Sequence, residues 1–233
     1  ADWLEPRPLV RAGLYWPGLE TPDLDAVRAG WLDGAPIAAV VFYRALVQAG
    51  NLKVVDALLD GLREQGLNPL PVFASSLKDP VAAATIGEIF EDTAPDVILN
   101  ATGFSVSVPG GERTLSPFDA AGDGPGPVVL QVVFSGGNEA GWRDGSQGLG
   151  ARDIAMNVAL PEVDGRVFSR AVSFKGARRR DLLSETDIVE YEPVGDRISF
   201  VCEMARRWAG LRRKPVAERR LALILANYPN RDG

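Results

Sequence analysis

Between Ile37 and Ala101 the chain alternates apolar runs with stretches of helical period, and this alternation restricts the fold more than any other feature. Ile37 to Tyr43 is an unbroken apolar run, the pattern of a strand buried on both faces. After Gly50-Asn51, the residues Val54, Val55, Leu58, Leu59 and Leu62 recur on one helical face, and Gly66 stands where a helix ends in a left-handed turn. Leu70 to Ala74 predicts a second strand. Asp79-Pro80 then places an N-cap before a first-turn proline, and a helix to about Thr93 is expected to bury Ala83, Ile86, Ile89 and Phe90. Asp96 to Ala101 predicts a third strand. Elements in this order form right-handed βαβ units. The expected class is therefore α/β, a Rossmann-like or flavodoxin-like parallel sheet with helices on both faces.

The flanks are less regular. Residues 1–36 hold Trp3, Trp16, Trp31 and five prolines, with one short helix expected from Asp23 to Ala29, and read as a wrapping segment or the edge of a preceding domain. Residues 37–165 form the parallel-sheet domain. Within it, 102–127 carry six glycines and four prolines in 26 residues, a loop too long to be a plain connection. Val128 to Phe134 resumes as a strand, and Asn138 is placed to cap a helix from Glu139 to about Gln147. A short helix at Ala151 to Ala155 and a strand at Met156 to Leu160 follow. Residues 166–220 read as a small antiparallel add-on, with strands Val167 to Phe174 and Ile188 to Tyr191 separated by a basic turn, Arg178-Arg179-Arg180. A long amphipathic helix from Asp196 to Arg213 then carries the stripe Ile198, Val201, Cys202, Ala205, Trp208 and Ala209. Residues 221–233, with a strand at Leu221 to Ala226, open a further, truncated unit. Starting at Ala1 and stopping after a turn signal, the chain reads as an internal piece of something longer.

Composition narrows the chemistry. There is no histidine, which removes the usual Ser-His-Asp and Cys-His pairs, His-ligated zinc and imidazole proton shuttles. Acid–base work falls to Asp, Glu, Lys or Tyr. The single thiol, Cys202, rules out a disulfide framework and fits a reducing cytoplasm. No apolar run approaches bilayer length, so no membrane partner is expected. Residues 166–220 hold fourteen Lys/Arg against eight Asp/Glu, leaving eleven against twenty-three elsewhere, for a net charge of −6. A solvated helix face with a basic turn explains this, and a surface for a partner subunit or substrate carboxylates is the sharper alternative. Nucleic acid is disfavoured, because no stacking aromatics are interleaved with the arginines. Neither GxGxxG between strand and helix nor GxxxxGK[ST] is present, which argues against nucleotide binding on this chain.

The densest polar phrase is Leu160-Pro161-Glu162-Val163-Asp164-Gly165, expected directly after a strand. Ligands of open α/β sheets bind beyond the strand carboxyl ends, where Glu162 and Asp164 can share a cation or accept protons. An ordinary turn with solvated acids is the alternative. Tyr43 and Arg44, Ser75 and Ser76, Asn100 and Thr102, and Ser135 and Asn138 stand at other strand ends, and Glu139 and Trp142 sit where a helix can present them to the same rim. Each alone also suits a local turn, cap or packing role.

Several phrases together resemble the large-subunit family of the ATP-dependent tetrapyrrole chelatases, the cobaltochelatase CobN and magnesium-chelatase H subunits. They are Phe42-Tyr43-Arg44 with Gly50-Asn51, Gly66 to Phe73 with Ser76 to Pro80, Pro95 to Asn100, Leu160 to Gly165, and Arg220 to Gly233. The Asn227-Tyr228-Pro229-Asn230 wording is closer to the cobalt branch. The resemblance implies insertion of Co²⁺, as substrate, into a corrin-type tetrapyrrole, hydrogenobyrinic acid a,c-diamide, in aerobic cobalamin biosynthesis. It also implies two separate AAA+-type ATPase subunits that carry ATP and Mg²⁺. In that setting Glu162 and Asp164 are the expected catalytic carboxylates, with Glu162 also on the metal, and Tyr43, Arg44, Asn100, Thr102 and Glu139 are expected to bind the ring. Two rival readings stay open: a small-molecule sensor domain with the Gly/Pro loop as a lid, and a non-catalytic scaffold that docks the ATPase subunits.

Overall fold

The computed structural model describes residues 10–119 and 126–224, and at 177–179 the backbone alone. Its elements run β1 (Ala12–Leu14), α1 (Leu24–Arg28), β2 (Ile37–Tyr43), α2 (Arg44–Gln48), α3 (Lys53–Glu64), β3 (Asn68–Ala74), α4 (Pro80–Thr93), β4 (Val97–Asn100) and β5 (Val128–Ser135). Then come α5 (Glu139–Asp144), α6 (Ala151–Ile154), α7 (Leu160–Val163), β6 (Val167–Asp181), β7 (Thr186–Pro193) and α8 (Gly195–Arg213). A π-helical turn, Ala155–Ala159, joins α6 to α7.

All seven strands share one sheet in the order β1-β3-β2-β4-β5-β6-β7. The pairs β2–β3, β2–β4, β4–β5 and β5–β6 are parallel, and the edge strands β1 and β7 are antiparallel to their neighbours. Numbered among themselves, the parallel strands lie 2-1-3-4-5, the flavodoxin-like order. The chain reverses its winding at β2, so the carboxyl ends of β2 and β4 flank a crevice that no crossover fills.

Alternating side chains of β2 feed two cores. Ala38, Val40 and Phe42 pack with Val54, Val55, Leu58, Leu59 and Leu62 of α3 and the stripe of α8. Ala39 and Val41 pack on the opposite face with Ile86 and Phe90 of α4. Helices therefore cover both faces, as the apolar runs require. The α3–α8 contact is close enough that a Cβ on Gly61 would lie 2.9 Å from the Cys202 sulfur. Burial there pushes the Cys202 thiol up to about 12, so it stays an inert packing group. Asp79 caps α4 by accepting from the Val81 and Ala82 N–H groups at 3.0 and 3.3 Å.

Several expectations need correction. Met156 to Leu160 is no strand but a helical stretch continuous with α6 and α7. Five residues, four of them apolar, do not distinguish a strand from one turn of helix by period. Arg178 to Arg180 do not form a turn, because β6 runs through them to Asp181 and reverses at residues 182–185. The first part of β6 also extends the parallel sheet, and only its pairing with β7 is antiparallel. Ala82 rather than Ala83 is buried on α4, and Ile89 is half-buried. The expected strand at Leu221 to Ala226 is absent over 221–224, where the side chains are exposed. Two short elements, β1 and α2, had no signal of their own. Trp3, Gly122, Gly124 and residues 225–233 lie outside the described residues.

Candidate functional site

A cavity of about 460 Å³ opens at the carboxyl ends of the strands. Tyr43 ends β2 on one side, and Ala101 follows β4 beneath it. Phe134 from β5 and Tyr191 from β7 form an aromatic wall, with ring centroids 5.9 Å apart. The Lys175 ammonium lies 5.5 Å from the Tyr191 ring centroid, and Arg152 supplies a second cation to the lining. The hairpin that delivers Tyr191 is tied to the sheet's helical layer, since Tyr191 N–H donates to Asn51 Oδ1 at 3.0 Å and Glu192 pairs with Lys53.

Asp153 fixes the opposite side. Its buried carboxylate accepts from Ser135 Oγ at 2.6 Å, from the Gly136 N–H at 3.0 and 3.2 Å, and from Asn157 Nδ2 at 3.3 Å. These donors clamp the end of β5 to α6, so the carboxylate serves as a brace for the wall. Burial raises the Tyr43 and Tyr191 phenols above their ordinary range, so both stay protonated well beyond neutral pH.

Beneath the cavity lies a buried polar network. Asn100 Nδ2 donates to Gln131 Oε1 at 2.8 Å and to the Thr102 carbonyl at 3.0 Å, and Gln131 Nε2 donates to the same carbonyl at 2.9 Å. Arg166 joins from β6's start and pairs with Asp164 at 2.7 Å, the two side chains being 1% and 5% exposed. Asp164 also accepts from the backbone N–H groups of Val106 and Ser107 at 2.7 and 2.9 Å, which pins the start of the long loop. Burial alone would raise the Asp164 carboxyl, but the donors from Ser107 and Val106 and the Arg166 charge outweigh it and hold it below the usual carboxylate range.

The π turn has a sequence cause. Leu160 N–H reaches back to the Ala155 carbonyl, and the next residue, Pro161, has no N–H to give Met156. The orphaned Met156 carbonyl instead accepts from Phe104 N–H at 2.7 Å. A Cβ on Gly103 would come within 2.9 Å of Asn157 Oδ1 and 3.0 Å of the Met156 oxygen, so only glycine lets the loop lie against this turn. Phe104 beside it is held at φ +64. Tyr43 Oη donates to the Gly103 carbonyl at 3.2 Å and closes the seam between the β2 and β4 ends.

Of the residues singled out in the sequence, Tyr43 lines the cavity. Asn100 and Thr102 sit in the network below it, and Ser135 supports it through Asp153. Arg44 reaches the Val10 carbonyl at 3.5 Å outside the lining, and Glu139 pairs with Arg143 on α5. Trp142 packs on Phe174, ring centroids 4.9 Å apart. Glu162 is exposed on α7 and Asp164 follows that helix, so neither stands at the end of a strand. Among the described residues no three His, Cys, Asp or Glu side chains are grouped as metal ligands. Sequence reasoning missed Arg152, Asp153, Asn157 and Lys175. The first three lie in or beside the stretch misread as a strand, and seeing Pro161 as a helix-perturbing residue would have exposed their common face.

The family model described as CobN/Magnesium Chelatase matches residues 1–233. "Aerobic cobaltochelatase subunit CobN" of Sinorhizobium sp is 48% identical over 97% of the chain, and its Pseudomonas aeruginosa counterpart 46% over 99%. The chain spans 18% of each of these relatives. "Magnesium-chelatase subunit ChlH, chloroplastic" of Oryza sativa subsp. indica is 27% identical over 94% of the chain and 15% of its own length. Among solved structures, the "Catalytic Subunit of Cobaltochelatase from Mycobacterium tuberculosis" superposes with a TM-score of 0.65 at 26% identity, covering 90% of this chain and 16% of that one.

Proposed function

Because the chain belongs to the CobN/magnesium chelatase family, we propose that it is a segment of the large, tetrapyrrole-binding subunit of an ATP-dependent cobaltochelatase, with Co²⁺ and hydrogenobyrinic acid a,c-diamide as substrates. The observation that carries this reading is the lining of the main cavity. An aromatic wall, Phe134 and Tyr191, stands beside two cations, Arg152 and Lys175, that have no ion pair among the described residues. A flat apolar macrocycle with anionic side arms matches that pairing: the ring edge packs on the aromatic face, and the arms meet the cations. At about 460 Å³ the cavity takes an edge of the macrocycle, with the remainder covered by other parts of the parent subunit.

Insertion replaces the single inner N–H proton of the corrin by the divalent cation, so the reaction needs a proton acceptor and an oxygen escort for the metal. In this proposal Glu162 takes that role, because its carboxylate is exposed while that of Asp164 is spent on Arg166 and the loop backbone. ATP hydrolysis, with its Mg²⁺, belongs to two AAA+-type partner subunits in the cytoplasm. No helix among the described residues is long and apolar enough to cross a membrane.

The test is a chelatase assay of the full-length subunit with its ATPase partners, offering Co²⁺ and Mg²⁺ against corrin and porphyrin rings. Cobalt insertion into the corrin is expected, with ring affinity reduced by Arg152→Met and Lys175→Met. Unchanged affinity in both variants would remove the cavity from the ring site. Glu162→Gln is expected to stop insertion and leave ring binding intact, and wild-type turnover in that variant would sink its assignment.

A further inference from the structure

Beside the main cavity lies a second pocket of about 230 Å³, formed where the β3–α4 connection faces the loop after β4. This is below the range of drug-sized ligand sites, so it suits a side arm and not a ring. Tyr43 lines both spaces, which places the small pocket within reach of a group extending from the large one.

The chemistry of the small pocket is one-sided. Lys78 and Arg166 are both in its lining, with the hydroxyl-bearing Ser76 and Tyr43, and no carboxylate is. Lys78 is exposed and has no ion pair among the described residues. Arg166 is almost wholly buried. Asp164 behind it answers its charge, yet its Nε finds no acceptor in the protein. A buried guanidinium with an unspent donor is the exception among folded proteins, and it adds positive charge to the wall beside the exposed Lys78 ammonium. Two cations in the lining with no carboxylate among them leave the pocket electropositive, so an anion small enough to reach Lys78 is the group it suits.

We propose that this pocket is an anion subsite that holds one carboxylate-bearing aliphatic side arm of the ligand whose body occupies the main cavity. The identity of that ligand as a corrin rests on the function proposed above. The anion preference rests on the pocket alone.

The full-length subunit, free of ring, is mixed with propionate as probe and propionamide as neutral control, and contact is read by saturation-transfer NMR. Propionate is expected to bind and propionamide not, and Lys78→Met is expected to weaken propionate about tenfold. Because Arg166 is built into the polar floor, Arg166→Met risks unfolding, so exposed Lys78 carries the test. Equal signals from the two probes, or propionate binding unchanged by Lys78→Met, overturns the subsite. In a second arm the corrin is titrated as free acid and as methyl ester. Lys78→Met should weaken the acid about tenfold and leave the ester unchanged, and an equal effect on both overturns the subsite. If neither corrin form binds while propionate binds in a Lys78-dependent way, the anion pocket stands and the ring reading falls.

Discussion

Along β2 the residues Ala38 to Phe42 are fully buried and none has a polar side chain, whereas at the sheet's carboxyl rim Asn100, Thr102, Gln131 and Arg166 are buried nearly as completely and all are polar. The body is held by non-directional apolar burial, which tolerates small shifts. At the rim each buried donor must meet an acceptor at a set distance, so the same interactions that offset desolvation also fix the loop around the cavity. Removing one partner there does more than remove a contact, because it leaves the other charged or polar group stranded.

That contrast sets the scale of the expected effects. Asp164→Ala strands the buried Arg166 and frees the Val106 and Ser107 N–H groups, so a loss of about 3–5 kcal/mol is expected in equilibrium urea unfolding. A loss no larger than for a surface ion pair would erase the distinction between rim and body. The same group sets a pH dependence. With its folded pKa held below the unfolded value, the Asp164 contribution is full above about pH 4 and is lost as pH falls through the folded pKa. Urea midpoints of wild type and Asp164→Ala should therefore converge on acidification, and a gap that widens instead would contradict the assignment.

In the body, Leu58→Ala removes a fully buried side chain between α3 and the sheet. It should cost about 2–5 kcal/mol, depending on how far the site collapses, while the affinity of the main cavity for its ligand stays at the wild-type value. A matching loss of affinity would show that body and rim are not separable. Asn138 accepts from Gly141 N–H at 2.7 Å as the cap of α5, and Asn138→Ala should lower stability by about 1 kcal/mol. Smallest of all, Asp60→Asn breaks the exposed i,i+3 pair with Arg63 and should leave the thermal midpoint where it was. A clear shift would mean that surface charge matters more to this chain than its two buried layers suggest.

How much was legible beforehand follows the same division. The β2 strand, the α3 face from Val54 to Leu62, the Asp79-Pro80 start of α4 and the α8 stripe were all readable, because each is a local pattern of burial or capping repeated over several residues. The helix at Ala151 was readable too, but the stretch 156–163 was not. Its mostly apolar residues suited two secondary structures, and the turn packs against the Gly103-Phe104 loop some fifty residues away. Tyr43 was read as a strand-end residue and lies in the cavity lining, whereas Tyr191, at the end of its expected strand, and Lys175, one residue past the expected end of its own, meet there through the pairing of β6 with β7.

The order of residues by itself determined an α/β chain with a doubly covered parallel sheet, since period, glycine and proline placement act over a few residues and need no distant partner. It also determined what chemistry is missing, because a chain without histidine has no imidazole wherever it folds. Which polar groups meet was decided only by the tertiary structure. Asp153 finds Ser135 and Gly136, Asp164 finds Arg166 and the loop backbone, and Arg166 keeps one donor unspent. Apart from the Asp164–Arg166 pair, those pairings join residues 17 to 58 positions apart. Their worth depends on exclusion from water, a property of the packed molecule that no local stretch of sequence carries.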